Sequence, residues 1–195
     1  MDDLHRVNVK LLLADPTSLA PEEAHRIFGT WIPQTTDEVL VDVAGYTHVP
    51  RGPATVLVGH EAHYVLDDSD GRRGLVYARK QPLPGDLTER LRAVLLAALR
   101  ACWRLEQEPS LEGRVHFRGD EVVITANDRL RAPNTDEGSA ALLPAARAVL
   151  TALFGGLPFT VGREPDTRRR LALHARSGTP ASTLELLRNL DPAGA

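Results

Sequence analysis

Hydrophobic and polar positions alternate over residues 56–67 more regularly than anywhere else in the chain. Read with a period of two, Val56, Val58, His60, Ala62, Tyr64 and Leu66 share one face, and Leu57, Gly59, Glu61, His63, Val65 and Asp67 the other. The first set makes the better core face. Residues 39–49 alternate in the same way, with Val39, Val41 and Val43 opposite Leu40, Asp42, Ala44, Tyr46 and His48. The Pro50-Arg51-Gly52-Pro53 cluster between the runs has turn chemistry, so the two are expected to form an antiparallel hairpin. With Val49 against Ala54, Val41 falls opposite Ala62, Val39 opposite Tyr64, and Asp42 opposite Glu61. Asp70-Gly71 then signals a tight hairpin that opposes Leu66 to Leu75, Tyr64 to Tyr77 and Glu61 to Lys80. The expected product is a three-stranded meander whose second face carries the row Asp42, Glu61 and Lys80, with His63 beside Glu61.

The remaining pattern sets helices between groups of strands. Residues 7–13 read as a strand ended by Asp15-Pro16, followed by a helix with Pro21 in its first turn, an apolar stripe of Ala24, Ile27, Phe28 and Trp31, and a stop at Pro33. Asp86 and Glu89 form a capping-box start for the clearest helix. Its stripe of Leu87, Leu91, Val94, Leu95, Ala98, Cys102 and Leu105 belongs across the core face of the meander. Core packing explains Cys102 and Trp103 without further role. A second hairpin is expected from residues 114–118 and 121–130, turning at Gly119-Asp120. A helix over residues 136–154 ends at Gly155-Gly156, strands follow at 159–163 and 169–175, and a short helix opens at Thr179-Pro180. Because the strands come in hairpins, the pattern predicts an α+β fold: a largely antiparallel sheet built from hairpins and the meander, with helices packed on one face.

Length and composition narrow the classes. A chain of 195 residues with 43% hydrophobic content suits one substantial core, so a single domain over residues 1–191 is expected, with 192–195 a frayed tail. The net charge of -3 gives no general attraction for nucleic acid. There is no apolar run of bilayer length and no charged-then-apolar leader at Met1-Asp2-Asp3-Leu4-His5, which points to a cytoplasmic protein without membrane association. The lone Cys102 makes no internal disulfide.

Candidate chemistry is sparse. His60-Glu61-Ala62-His63 lacks the spacing of a zincin motif, and on a strand His60 and His63 point to opposite sides. Asp42, Glu61 and His63 would share a face able to hold a divalent metal or to do acid/base work, but Lys80 opposite Glu61 favours a solvated charge network. A second candidate is the basic face of the later hairpin, Arg114, His116, Arg118, Arg129 and Arg131, joined by Arg168-Arg169-Arg170, whose guanidinium forks match phosphate or carboxylate. Aromatic residues for base stacking are missing from that face, which argues against nucleic acid. No phosphate loop, dinucleotide fingerprint, nucleophile elbow or paired Cys-x-x-Cys is present, so no cofactor is expected. Complete core stripes without a catalytic signature point to a non-catalytic binding or assembly module, associating with itself or with another protein. A small-molecule enzyme using Asp42, Glu61 and His63 is the alternative, and anion binding through the arginines a third.

Four segments, Asp42-Val43-Ala44-Gly45-Tyr46-Thr47-His48-Val49, Gly59-His60-Glu61-Ala62-His63-Tyr64, Gly74-Leu75-Val76-Tyr77-Ala78-Arg79-Lys80 and Asn127-Asp128-Arg129-Leu130-Arg131-Ala132-Pro133-Asn134, give the chain a resemblance to a small group of uncharacterised bacterial soluble proteins. The resemblance spans about residues 7–156. It implies a bacterial soluble protein and, the group having no assigned activity, transfers no site.

Overall fold

The computed structural model describes residues 4–49 and 52–192. The chain runs β1 (Val7–Leu13), α1 (Pro21–Gln34), β2 (Leu40–Gly45), β3 (Pro53–Gly59), β4 (Ala62–Asp67), β5 (Gly74–Arg79), α2 (Leu87–Glu106), β6 (Phe117–Ala126), α3 (Asp136–Leu153), β7 (Phe159–Arg163), β8 (Ala172–Ser177) and α4 (Thr183–Leu190). The strands form one antiparallel sheet in the order β2-β3-β4-β5-β1-β6-β8-β7, which is the expected α+β class. The first strand therefore lies in the interior of the sheet, with β5 on one side and β6 on the other.

All four helices lie on the same side. There, α1 covers β2 and β3, α2 crosses β1 and β5, and α3 and α4 pack on α2 while reaching β8 and β6. The sheet meets them with Val7, Val9 and Leu11 of β1, Tyr64 and Leu66 of β4, Leu75 and Tyr77 of β5, and Val122 and Ile124 of β6. Leu91, Leu95, Leu99, Cys102 and Leu105 supply the α2 side of this core, and burial pushes the Cys102 thiol well above its ordinary range. Helix starts follow their caps. Asp86 and Glu89 exchange hydrogen bonds at 2.9 and 2.8 Å, Thr135 accepts from Gly138, and Ser182 with Glu185 opens α4 three residues later than Thr179-Pro180 suggests. Pro33 sits inside the last turn of α1 rather than stopping the helix ahead of itself.

The meander departs from expectation at its centre. Residues 56–67 are a hairpin rather than one strand, since the chain reverses at His60-Glu61 between Gly59 and Ala62. A Cβ on residue 59 would lie 2.6 Å from the Ala62 carbonyl oxygen, so only glycine lets the chain fold back this tightly. The end of β5 pins the turn. The backbone N–H of Lys80 donates to the Glu61 carbonyl at 2.9 Å, and Lys80 Nζ donates to that of Gly59 at 2.5 Å. The reversal resets the phase, so Thr55, Leu57 and Gly59 face the helices while Val56 and Val58 face away.

The β4–β5 register is as the apolar pattern predicts, Tyr64 opposite Tyr77 and Leu66 opposite Leu75, although residues 68–73 form a longer loop than a two-residue turn. The β2 register is not. Asp42 lies opposite Val58, not Glu61, and a register shift between Leu40 and Asp42 leaves Val39 and Val41 each 60% exposed instead of in the core. Pro50 and Arg51 of the expected turn lie outside the described residues.

The expected hairpin at Gly119-Asp120 is absent, for β6 runs unbroken through both residues. Gly119 marks a close approach of two backbones, since a Cβ there would lie 1.7 Å from the Ala181 carbonyl oxygen. Strand β7 matches its expected bounds, whereas β8 starts at Ala172 rather than at residue 169. Residues 193–195, most of the expected frayed tail, and residues 1–3 lie outside the described residues. No helix among the described residues is long and apolar enough to cross a membrane.

Candidate functional site: the open face of the sheet

Among the described residues no helix lies on the sheet's second face, yet that face is not polar. Following the pairings strand to strand, one transverse row on it reads Val56, Val65, Val76, Lys10, Val123, His174 and Gly162. The next reads Val58, His63, Ala78, Asn8, Thr125 and Ala172. One face of an antiparallel sheet is commonly solvated, and its strands then alternate apolar with polar. Here valines occupy the outward positions on three adjacent strands of the first row, β3 to β5, and again on β6 across Lys10, so the face has an apolar floor.

The floor is the base of a concavity of about 520 Å3. In its centre Lys10 Nζ meets Asp67 at 2.5 Å, with each side chain only 14% exposed, and Asp67 also accepts from the Ser69 hydroxyl at 2.7 Å. The walls are loops. Arg169 grips Asp70 through two 2.8 Å hydrogen bonds and Glu164 through a 3.2 Å contact, which ties the β4–β5 turn to the 164–170 segment. On the flank, the buried carboxylate of Glu121 is shared by Arg72 and Arg176 at 2.7 Å each. Those guanidiniums, Arg72 foremost, hold its pKa down to about 2.

Charge at the concavity opposes that of the chain. Its lining includes Lys10, Arg72, Arg129, Arg168, Arg169 and Arg170 against Asp67, Asp70 and Glu164; with Glu121 and Asp166, which hold Arg72 and Arg168, that is six cations to five carboxylates, hence +1 with histidine neutral, whereas the whole chain carries -3. Arg168 is taken by Asp166 at 2.9 Å, but Arg129 and Arg170 meet no carboxylate or hydrogen-bond acceptor among the described residues. Both stand at the same end of the sheet, Arg129 three residues beyond β6 and Arg170 two residues before β8, where the Ala126 N–H donates to the Leu171 carbonyl at 2.9 Å. The Asn8 amide oxygen, in the floor near that end, is buried without a partner among the described residues.

The structure disperses the acidic set expected from sequence. Asp42 is exposed on the edge strand and accepts from the Val43 N–H. His63 is on the open face, half-buried, its pKa lowered by burial first and by the Lys80 charge second. Glu61 lines a different cleft, on the helix side, and Lys80 is spent on the Gly59 carbonyl. The cause is the turn at His60-Glu61, which breaks the alternation that placed Glu61 and His63 together. Among the described residues no group of three His, Cys, Asp or Glu side chains is arranged to hold a metal ion.

The basic set is dispersed as well. Arg114 pairs with Glu23 and donates to the Ser18 carbonyl, exposed His116 precedes β6, Arg118 forms a two-point contact with Asp120, and Arg131 lies 3.6 Å from Asp128. Of those five, Arg129 alone lines the concavity, in company with Arg168, Arg169 and Arg170. Lys10, Asp67 and Arg72 escape a sequence reading altogether. The one local signal is Lys10, a charge interrupting a strand that is apolar on both sides of it.

The helix-side cleft, about 430 Å3, is bounded by Trp31, Tyr64, Tyr77, Glu38, Glu61 and Arg104. The Tyr64 hydroxyl donates to Glu38 at 2.5 Å, burial raises the pKa of both, and the Arg104 guanidinium lies 4.4 Å from the Trp31 ring centre. Its arginines are committed, Arg79 to the Gln81 carbonyl, Arg100 to Asp191 and Arg104 to Thr35 and Gln34. The cleft works as a joint between α1, α2 and the sheet. No protein-family model and no curated protein matches this chain.

Proposed function

We propose that the protein is a non-catalytic binding module and that the concave open face of its sheet receives a small molecule. One observation carries this reading: an apolar floor, ringed by charged loops, lies on a sheet face that the fold leaves without a covering layer. An uncovered apolar concavity costs free energy in water, and its volume of about 520 Å3 lies within the range of roughly 300–1,000 Å3 common for ligand pockets. Lys10 and Asp67 at its centre are engaged with one another rather than poised for proton transfer.

Native mass spectrometry after incubation with a small-molecule extract tests the proposal. A bound species below about 1 kDa is expected on the wild type, in keeping with the pocket size, and is expected to be lost from Val65→Arg/Val123→Arg, which puts charge on the floor without touching the helix-side core. A species retained by the variant, or none on a wild type confirmed as folded, defeats it.

Self-association is a second reading with its own support. Strand β2 is hydrogen-bonded on one side only and exposes Val39 and Val41 along the free edge, a surface suited to an antiparallel pairing with a second copy. A two-fold contact through the concavity is disfavoured, because it would set one surplus of positive charge against another. A sedimentation coefficient that stays monomeric at high concentration would remove the edge-pairing reading.

A further inference from the structure

Resting on the binding-module reading, we infer that the ligand is an organic anion: an apolar body lies on the valine floor and a carboxylate or phosphate head reaches the end of the sheet where Arg129 and Arg170 stand. Three observations converge. The concavity is positive inside a negative chain, so its field selects against cations. Two guanidiniums at one end are without partners among the described residues, while Arg72, Arg168 and Arg169 are each held by a carboxylate. Arginine forks engage carboxylate and phosphate oxygens through paired N–H donors. The body must be apolar because Val65, Val76, Val123 and Ala78 offer it no hydrogen bond, and the head must be at the rim because Lys10 in the centre is already neutralised by Asp67.

The geometry also sets polarity along the strands. From Asn8 to Lys10 to Leu12 is two steps of two residues, or roughly 13 Å at about 3.3 Å per residue. A head at the Asn8 end thus leaves room for a chain of about eight to ten carbons towards Leu12, which is buried at the far end of the floor. Free phosphate would satisfy the arginines and leave the floor wet.

Calorimetric titration with decanoate, decyl phosphate, decyltrimethylammonium and inorganic phosphate separates the terms. The two amphiphilic anions are expected to bind, with an affinity that falls as salt rises. The cationic amphiphile and inorganic phosphate are expected to bind at least about tenfold more weakly. Stronger binding of decanoate than of decyl phosphate, or the reverse, identifies the head. In Arg129→Ala/Arg170→Ala, whose replaced side chains hold nothing in the fold, the affinity for the anions should drop by about tenfold or more with the melting temperature unchanged.

Equal binding of cationic and anionic amphiphiles, both abolished by Val65→Arg/Val123→Arg, would overturn the anion inference and leave the binding face standing. Anion affinity unchanged in the arginine variant would also overturn it. If no amphiphile binds, or binding ignores both variants, the inference and the binding-face reading fall together.

Discussion

Glu121 is 4% exposed and lies between two arginines that are far more open, Arg72 at 39% and Arg176 at 57%. Its folded pKa of about 2 is below the ordinary 4.5, so the folded state favours the carboxylate. The stabilisation is fully present above pH 4.5 and is lost as pH falls towards 2. Discounted for the solvent around the guanidiniums, it is worth about 2 kcal/mol. Urea unfolding of Glu121→Gln should accordingly show a loss of that order at pH 7 and much less near pH 2.5; an equal loss at both would mean that charge is not the cause. His63 acts in the same direction by the opposite chemistry. Burial depresses its pKa below 6.5, so the unfolded chain takes up the proton first and stability declines as pH drops through that value.

At the scale of elements, one glycine can be set against another. Gly119 and Gly162 are both strand residues, yet a Cβ at the first would strike the Ala181 carbonyl at 1.7 Å and at the second would meet nothing within 4 Å. Gly119→Ala should cost about 1–3 kcal/mol by forcing β6 and the segment before α4 apart, whereas Gly162→Ala should stay within about 0.5 kcal/mol of wild type. Chemical denaturation of the two variants makes the comparison, and similar losses would mean that the close approach is relieved at little cost.

The same glycines explain what was legible. Helices α1, α2 and α3 could be read because one stripe of each is apolar and the caps stand at the right spacing. The register of β4 on β5 could be read because a slip would turn Tyr64 and Leu66 out of the core. Residues 56–67 misled because Val56 and Val58 are as apolar as Leu57, so alternation does not fix the phase, and the two turn residues between Gly59 and Ala62, His60 and Glu61, are not typical of turns. Gly119-Asp120 misled in the opposite sense: a glycine required by Ala181, 62 residues away, imitates one required by a turn.

Over the whole molecule, the fold class followed from the order of elements, but the concavity did not. Lys10 and Asp67 are 57 residues apart, and Asp70 and Arg169 are 99 apart, so no local pattern links them. Only Arg129 and the arginine run at residues 168–170 stand out in the sequence as candidates, and without the valine floor beside them. The scatter of Asp42, Glu61 and His63 has the same origin, because three residues placed together by one assumed register separate once a turn intervenes. Placing the site required the sheet order, and the sheet order depends on which late strand pairs with the first.

That placement of β1 bears on how the chain is made. Strand β1, made before the other seven, pairs on one side with β5 and on the other with β6, so its second edge waits until residue 126 has emerged. The strands made by then, β2 to β5 and β1, are neighbours in the finished sheet, and a sheet of these five would end in Val-Asn-Val-Lys-Leu-Leu-Leu. An unpaired edge of that composition is a template for strands of other chains. Lys10 is the single charge along it, and the later arrival of β6 turns that edge into the interior of the finished sheet.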